Sequence, residues 1–211
     1  MRSRLSQPAC SPDEYLAFER LSDGRHEFLD GYIYAMAGES IEHSTICFNL
    51  ATIVGTELRG KPCRGLSPNM KIRTSPTGLY SYSDLTVVCG EPLFHDRQRD
   101  VLVNPIVIIE VLSPSTEAYD RGEKWVRYQQ IESLSDYLLI AQDRPLIEHY
   151  LRQPDGRWLY SATADRAGSV SLVSIDCRLR LADVYDRISF PTTPPEDGAD
   201  ESQQDSRRCG N

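Results

Sequence analysis

The chain has 211 residues, enough for one domain with a substantial core. It is 40% hydrophobic and 26% charged, as in a soluble globular protein. No apolar stretch nears the ~18 residues a membrane helix needs, and the first residues lack the apolar run of a secretory signal, so a cytoplasmic location is expected. A formal net charge of −8 fits poorly with tight, non-specific nucleic-acid binding, though part of the excess lies in the tail after Phe190.

In chain order, residues 1–10 are expected to be a flexible N-terminus, residues 11–190 one domain, and residues 191–211 a disordered acidic tail. Ser11-Pro12-Asp13-Glu14 is a helix start, with Ser11 as N-cap and Glu14 closing a capping box. That helix runs to about Arg20. Asp30-Gly31 lies between two short apolar runs and predicts a two-residue hairpin. From Ser40 to about Leu58 the spacing turns helical, with His43, Cys47, Leu50, Val54 and Leu58 on one stripe. Strands follow at about 68–74, 80–89 and 104–112, then a helix at about 121–131, then strands near 137–142, 146–152 and 157–163. Gln153-Pro154-Asp155-Gly156 is the turn between the last two. From Pro191 onward large apolar residues vanish. This order describes an α/β fold with a mixed sheet flanked by helices. The six cysteines are scattered without a C-x-x-C pair, which points to neither a zinc site nor a disulfide framework; Cys47 and Cys89 read as small core residues.

Two carboxylates stand out. Asp84 sits where polar Ser81-Tyr82-Ser83 gives way to apolar Leu85-Thr86-Val87-Val88. Glu110 lies within Ile106-Val107-Ile108-Ile109-Glu110-Val111-Leu112, a run expected to be buried on both faces. An ionised carboxylate there costs several kcal/mol unless it is paired or binds a metal. Neighbouring strands can bring the two together. The plainer readings are that Asp84 caps a turn and Glu110 meets an arginine. Lys124 shares a helix face with Tyr128 and Ile131, which brings its ammonium within reach of the acids; alone, it reads as a surface lysine whose stem snorkels. His43 reads first as a satisfied core histidine.

Asp84, then Ile109-Glu110-Val111-Leu112-Ser113-Pro114-Ser115-Thr116, Asp120-Arg121-Gly122-Glu123-Lys124 and Tyr128 together resemble the Uma family of restriction endonucleases, within the PD-(D/E)XK nuclease superfamily. Glu27-Phe28-Leu29-Asp30-Gly31, Met36 and His43 match the family's opening, and Ser133–Ile140 its following strand. The resemblance spans roughly residues 11–187 and implies a restriction-endonuclease-like core. Two departures stand in the sequence: Ser83 replaces the usual proline before the first aspartate, and Leu112 stands where the wider superfamily has lysine. The resemblance implies that Lys124 supplies the missing charge; Lys71, on a neighbouring strand, is the second candidate.

The implied activity is Mg²⁺- or Mn²⁺-dependent hydrolysis of DNA phosphodiester bonds. Asp84, Glu110 and the Val111 carbonyl are the implied metal ligands, Lys124 the catalytic amine, and Glu27 an added carboxylate that can equally form a strand-end salt bridge. A double-strand cut needs two sites, so a homodimer is plausible. The alternative is a catalytically inactive nuclease-fold module that binds a protein or nucleic-acid partner, which the acidic balance favours. A glycosidase using Asp84 and Glu110 is weaker, because the lysine has no part in it.

Overall fold

The computed structural model describes residues 3–5, 9–36 and 38–190, so the predicted acidic tail lies outside the described residues. A short strand, β1 (Ser3–Arg4), is followed by α1 (Pro12–Glu19), where Ser11 and Glu14 exchange the predicted capping-box hydrogen bonds. Strands β2 (His26–Leu29) and β3 (Tyr32–Ala35) form the hairpin. Its turn residues Asp30 and Gly31 both have positive φ (49° and 86°), as a primed two-residue turn requires. Residues 3–5 extend this sheet: β1 pairs with β3, and Leu5 donates to the Ile33 carbonyl. Two residues are too few to show any periodicity in the sequence.

Helix α2 (Ile41–Glu57) runs from N-cap Ser40 to C-cap Leu58 and buries Ile46, Leu50, Val54 and Leu58, one residue per turn. Then come β4 (Cys63–Leu66), β5 (Lys71–Arg73), β6 (Tyr80–Tyr82), β7 (Leu85–Cys89), β8 (Val101–Leu102) and β9 (Val107–Leu112). The stretch read as one strand over 80–89 is two. Between them, Ser83 and Thr86 hydrogen-bond through their side chains (2.6 Å), and the chain passes from one sheet to another.

The helical stretch after β9 has three parts: α3 (Glu117–Tyr119), a π-helical turn (Asp120–Lys124) and α4 (Trp125–Tyr128). It starts earlier than the expected 121, so Asp120, which that boundary would make the N-cap, lies inside it. Strands β10 (Asp136–Ala141), β11 (Ile147–Arg152) and β12 (Trp158–Thr163) lie close to the predicted positions. The described chain closes with the hairpin β13 (Ser169–Leu172) and β14 (Cys177–Arg180) and with α5 (Leu181–Val184).

Instead of one mixed sheet there are two six-stranded ones, ordered β1-β3-β2-β6-β5-β8 and β12-β11-β10-β9-β7-β4, beside the two-stranded hairpin. The second is mixed: β9 runs parallel to β10 and antiparallel to β7. Its centre, β9, is buried along its whole length, with alternating residues feeding two cores. Val107, Ile109 and Val111 pack with Leu50 and Val54 of α2. Ile108 and Leu112 pack with Tyr128, Leu134 and Tyr137. Cys63 and Cys89 are register partners on β4 and β7 and form a disulfide. The expectation of an unpaired Cys89 is therefore corrected; strand register, invisible in cysteine spacing, brings the two together.

Candidate active site

Glu110 belongs to the β9 face that carries Ile108 and Leu112, and no side chain on that face other than its own is charged. In the antiparallel β7–β9 pair, Leu85 stands opposite Ile109 and Thr86 opposite Ile108. Continuing that register sets Asp84 opposite Glu110. Asp84 occupies the crossing between the two sheets, where its Oδ2 accepts a hydrogen bond from the Val111 amide at 2.7 Å. The two acids that the sequence singled out therefore sit side by side at the ends of adjacent strands.

Lys124 enters from the π turn, 4% exposed. Its Nζ lies 2.8 Å from Glu110 Oε1, 3.4 Å from Asp120 Oδ1 and 3.5 Å from Glu27 Oε1, and donates to the Tyr82 carbonyl at 3.3 Å. Tyr128, one helical turn on, donates its hydroxyl to Glu110 Oε1 at 2.9 Å and meets Ser81 Oγ at 2.9 Å. Tyr82, through its amide, donates to Glu27 at 3.4 Å. From α2, His43 Nε2 comes within 3.5 Å of Asp84 Oδ2. Glu27, His43, Tyr82, Asp84, Glu110, Asp120 and Lys124 line one cavity of about 410 Å³, whose walls also carry Arg25, Glu39 and Gln142, while Tyr128 and Ser81 are buried outside its lining. That volume suits a small ligand or a fragment of a larger one.

Burial pushes the Glu110 carboxyl up to about 8; the Lys124 ammonium beside it pulls the other way without cancelling that. Burial works against the Lys124 charge, but Glu110, Tyr128 and Asp120 more than offset it and hold the ammonium protonated. Burial likewise opposes charging of His43, and the Asp84 and Cys47 contacts outweigh it, raising its imidazole above the ordinary value. Four carboxylates (Glu27, Asp84, Glu110, Asp120) converge on one lysine and one histidine. Their oxygens are hard donors, and a small divalent cation fits such a set.

Over residues 12–182 the sequence matches the family described as "Uma2: Putative restriction endonuclease". The chain belongs to the Uma2 family. Relatives include the uncharacterised protein slr1290 of Synechocystis sp., 38% identical over 187 residues, covering 87% of this chain and 95% of that protein. A second protein from the same organism, sll1609, is 34% identical over 146 residues, covering 69% and 82%. The fold is similar to a crystal structure from Anabaena variabilis titled a "putative nuclease belonging to DUF820". The TM-score is 0.70 at 15% identity, covering 85% of this chain and 99% of that one. The α/β fold class expected from the sequence, mixed sheet and flanking helices, is thus shared with that solved structure.

Within this Uma2 chain, Glu27, Asp84, Glu110 and Lys124 all line the same cavity, with Val111 between the acids. Lys71 does not. It is buried against Asp100 (3.1 Å) and lies 5.5 Å from the Tyr82 ring, so it neither faces solvent nor reaches the acids. Leu112, where the resemblance drawn from the sequence looks for lysine, is buried among apolar neighbours. Two groups at the site carry no role in the sequence analysis. By sequence Asp120 reads as the N-cap of its helix, although its four-residue spacing from Lys124 is a signal for an ion pair. Tyr128 reads by sequence as a packing residue. Its hydroxyl contacts come from residues 47 and 18 positions away, which no local pattern reveals.

Proposed function

We propose that the chain is a Mg²⁺-dependent endonuclease (Mn²⁺ serving equally) of the PD-(D/E)XK type that hydrolyses DNA phosphodiester bonds. The observation that carries this reading is the meeting of Asp84, Glu110 and Lys124 in one open cavity in a Uma2 chain. Asp84, Glu110 and the Val111 carbonyl are the groups that would hold the ion. When bound, a divalent cation polarises a phosphoryl oxygen and lowers the pKa of a coordinated water.

The chain's own residues do the rest. Lys124 is held by three carboxylates and the Tyr82 carbonyl, so its ammonium is fixed in place before substrate arrives. In that position it orients the attacking water and offsets the negative charge that builds on the phosphorus oxygens, in a site where water screens little. Tyr128 and Lys124 both hold the same Glu110 oxygen, Oε1. The Val111 amide holds Asp84 in the same way. His43 contributes positive charge behind Asp84, and Arg25 stands in the cavity wall where it can meet a phosphate of the DNA backbone.

Supercoiled plasmid incubated with the purified chain and Mg²⁺ or Mn²⁺ is expected to be nicked or cut, and chelator to stop it. Asp84→Ala and Glu110→Ala are each expected to abolish cleavage. Equal cleavage by either variant rules out the assigned site. One observation favours the second reading, a non-catalytic module of the same fold that binds a protein or nucleic-acid partner: the net charge of −8 offers DNA little general attraction. Under that reading wild type leaves the plasmid intact at every metal concentration.

A further inference from the structure

The start of helix α2 carries a second group of metal-ligating side chains, of which the hydrolytic reading uses only the charge on His43. Glu39 stands just before the N-cap Ser40, His43 lies in the first turn and Cys47 one turn later. Four-residue spacing stacks the three along one side of the helix start. His43 Nδ1 lies 2.9 Å from Glu39 Oε2 and 3.5 Å from Cys47 Sγ. All three ligand atoms fall within 4.8 Å of one another.

We propose that Glu39, His43 and Cys47 form a second metal site, built for a borderline ion such as Zn²⁺ and distinct from the carboxylate site. Zn²⁺ bonds of ~2.0 Å to nitrogen and oxygen and ~2.3 Å to sulfur, at tetrahedral angles, set ligand atoms about 3.3–3.6 Å apart. The imidazole–thiol separation already falls in that range, the exposed Glu39 side chain has to draw back from the imidazole by a few tenths of an ångström, and no two ligand atoms lie more than 4.8 Å apart. The ligand types separate the two sites as well. Thiolate and imidazole suit Zn²⁺ and not Mg²⁺, whereas Asp84 and Glu110 offer only oxygen.

The other ring nitrogen of His43 faces Asp84 at 3.5 Å. A histidine that binds metal through one nitrogen commonly donates from the other to a carboxylate, which fixes the ring. Glu39 and His43 both line the cavity, so the fourth position opens towards water. An ion pair between Glu39 and His43 accounts for two of these groups but gives the Cys47 thiol, aimed at the same nitrogen, no part. On binding, the metal takes the place of the protons on His43 and Cys47. The site then locks the ring that backs Asp84, which makes Zn²⁺ a positioning element for the neighbouring acid.

Cobalt reports on this site directly. Chelator-treated full-length chain, kept in excess Mg²⁺ to fill the oxygen sites, is titrated with Co²⁺ and followed by absorption. The expected result is one Co²⁺ per chain with a thiolate-to-cobalt charge-transfer band, reversed by Zn²⁺. Cys47→Ala should abolish that band. Glu39→Gln, an exposed change that the fold tolerates, should weaken binding by more than the ~10–100-fold that losing a ligand's hydrogen-bond partner costs. Glu110→Ala should leave the band unchanged, so the two sites fail separately. Absence of the band in wild type, its survival in Cys47→Ala, or unaltered affinity in Glu39→Gln overturns the proposal.

Discussion

At the scale of single residues, the cavity is held together by contacts to two carboxylates. Tyr128 is fully buried, and its hydroxyl bridges Ser81 and Glu110. Tyr128→Phe strands Ser81 and removes a donor from Glu110, so chemical denaturation is expected to show a loss of about 1–3 kcal/mol. Asp100 offers a pH test away from the cavity. The Arg20 guanidinium, with Lys71 behind it, holds its carboxyl down at about 2, against an ordinary 3.8. A lowered pKa contributes stability that is present above pH 3.8 and lost as pH falls towards 2. The melting-temperature gap between wild type and Asp100→Asn should therefore close across that window, and a gap constant with pH would contradict the assignment. Glu110 was legible in the sequence because an acid in an apolar run is costly, whereas Asp84 and Lys124, which alone read as a turn cap and a surface lysine, were singled out through the motif they form with it. Asp120 was not, because the π turn that buries it leaves no mark in composition.

At the scale of elements, long periodic segments read well. Helix α2 was placed to within a residue or two because its apolar stripe repeats every turn and Ser40 caps it. Leu50 is wholly buried where α2 meets β9 and the closing hairpin. Leu50→Ala is expected to cost about 2–5 kcal/mol, measured by urea unfolding, with the slope of the transition unchanged. Short elements read poorly. β4, Cys-Arg-Gly-Leu, has no fully buried residue, and β14 alternates arginine with small or apolar residues over only four positions. The break between β6 and β7 was hidden because Ser83 and Asp84 looked like a polar lead-in to one strand. That break matters for function, since it carries Asp84 across from one sheet to the next.

At the scale of the whole molecule, the cavity exists where four bodies meet. The first sheet brings Glu27 and Tyr82, the second brings Glu110 and Val111, the start of α2 brings His43, and the helical stretch after β9 brings Asp120 and Lys124. The fold class was legible from the order of elements, but the partition into two sheets was not. Strand partners are chosen by contacts between residues far apart in the chain, and the Cys63–Cys89 disulfide was missed for the same reason. Titration calorimetry with Mg²⁺ on the intact chain tests most directly whether the converging acids form one ion-binding centre. Wild type should bind Mg²⁺, and Asp84→Ala and Glu110→Ala should each lose that heat while remaining folded. A wild type that binds no Mg²⁺, or two folded variants that bind it as tightly as wild type, would contradict the account.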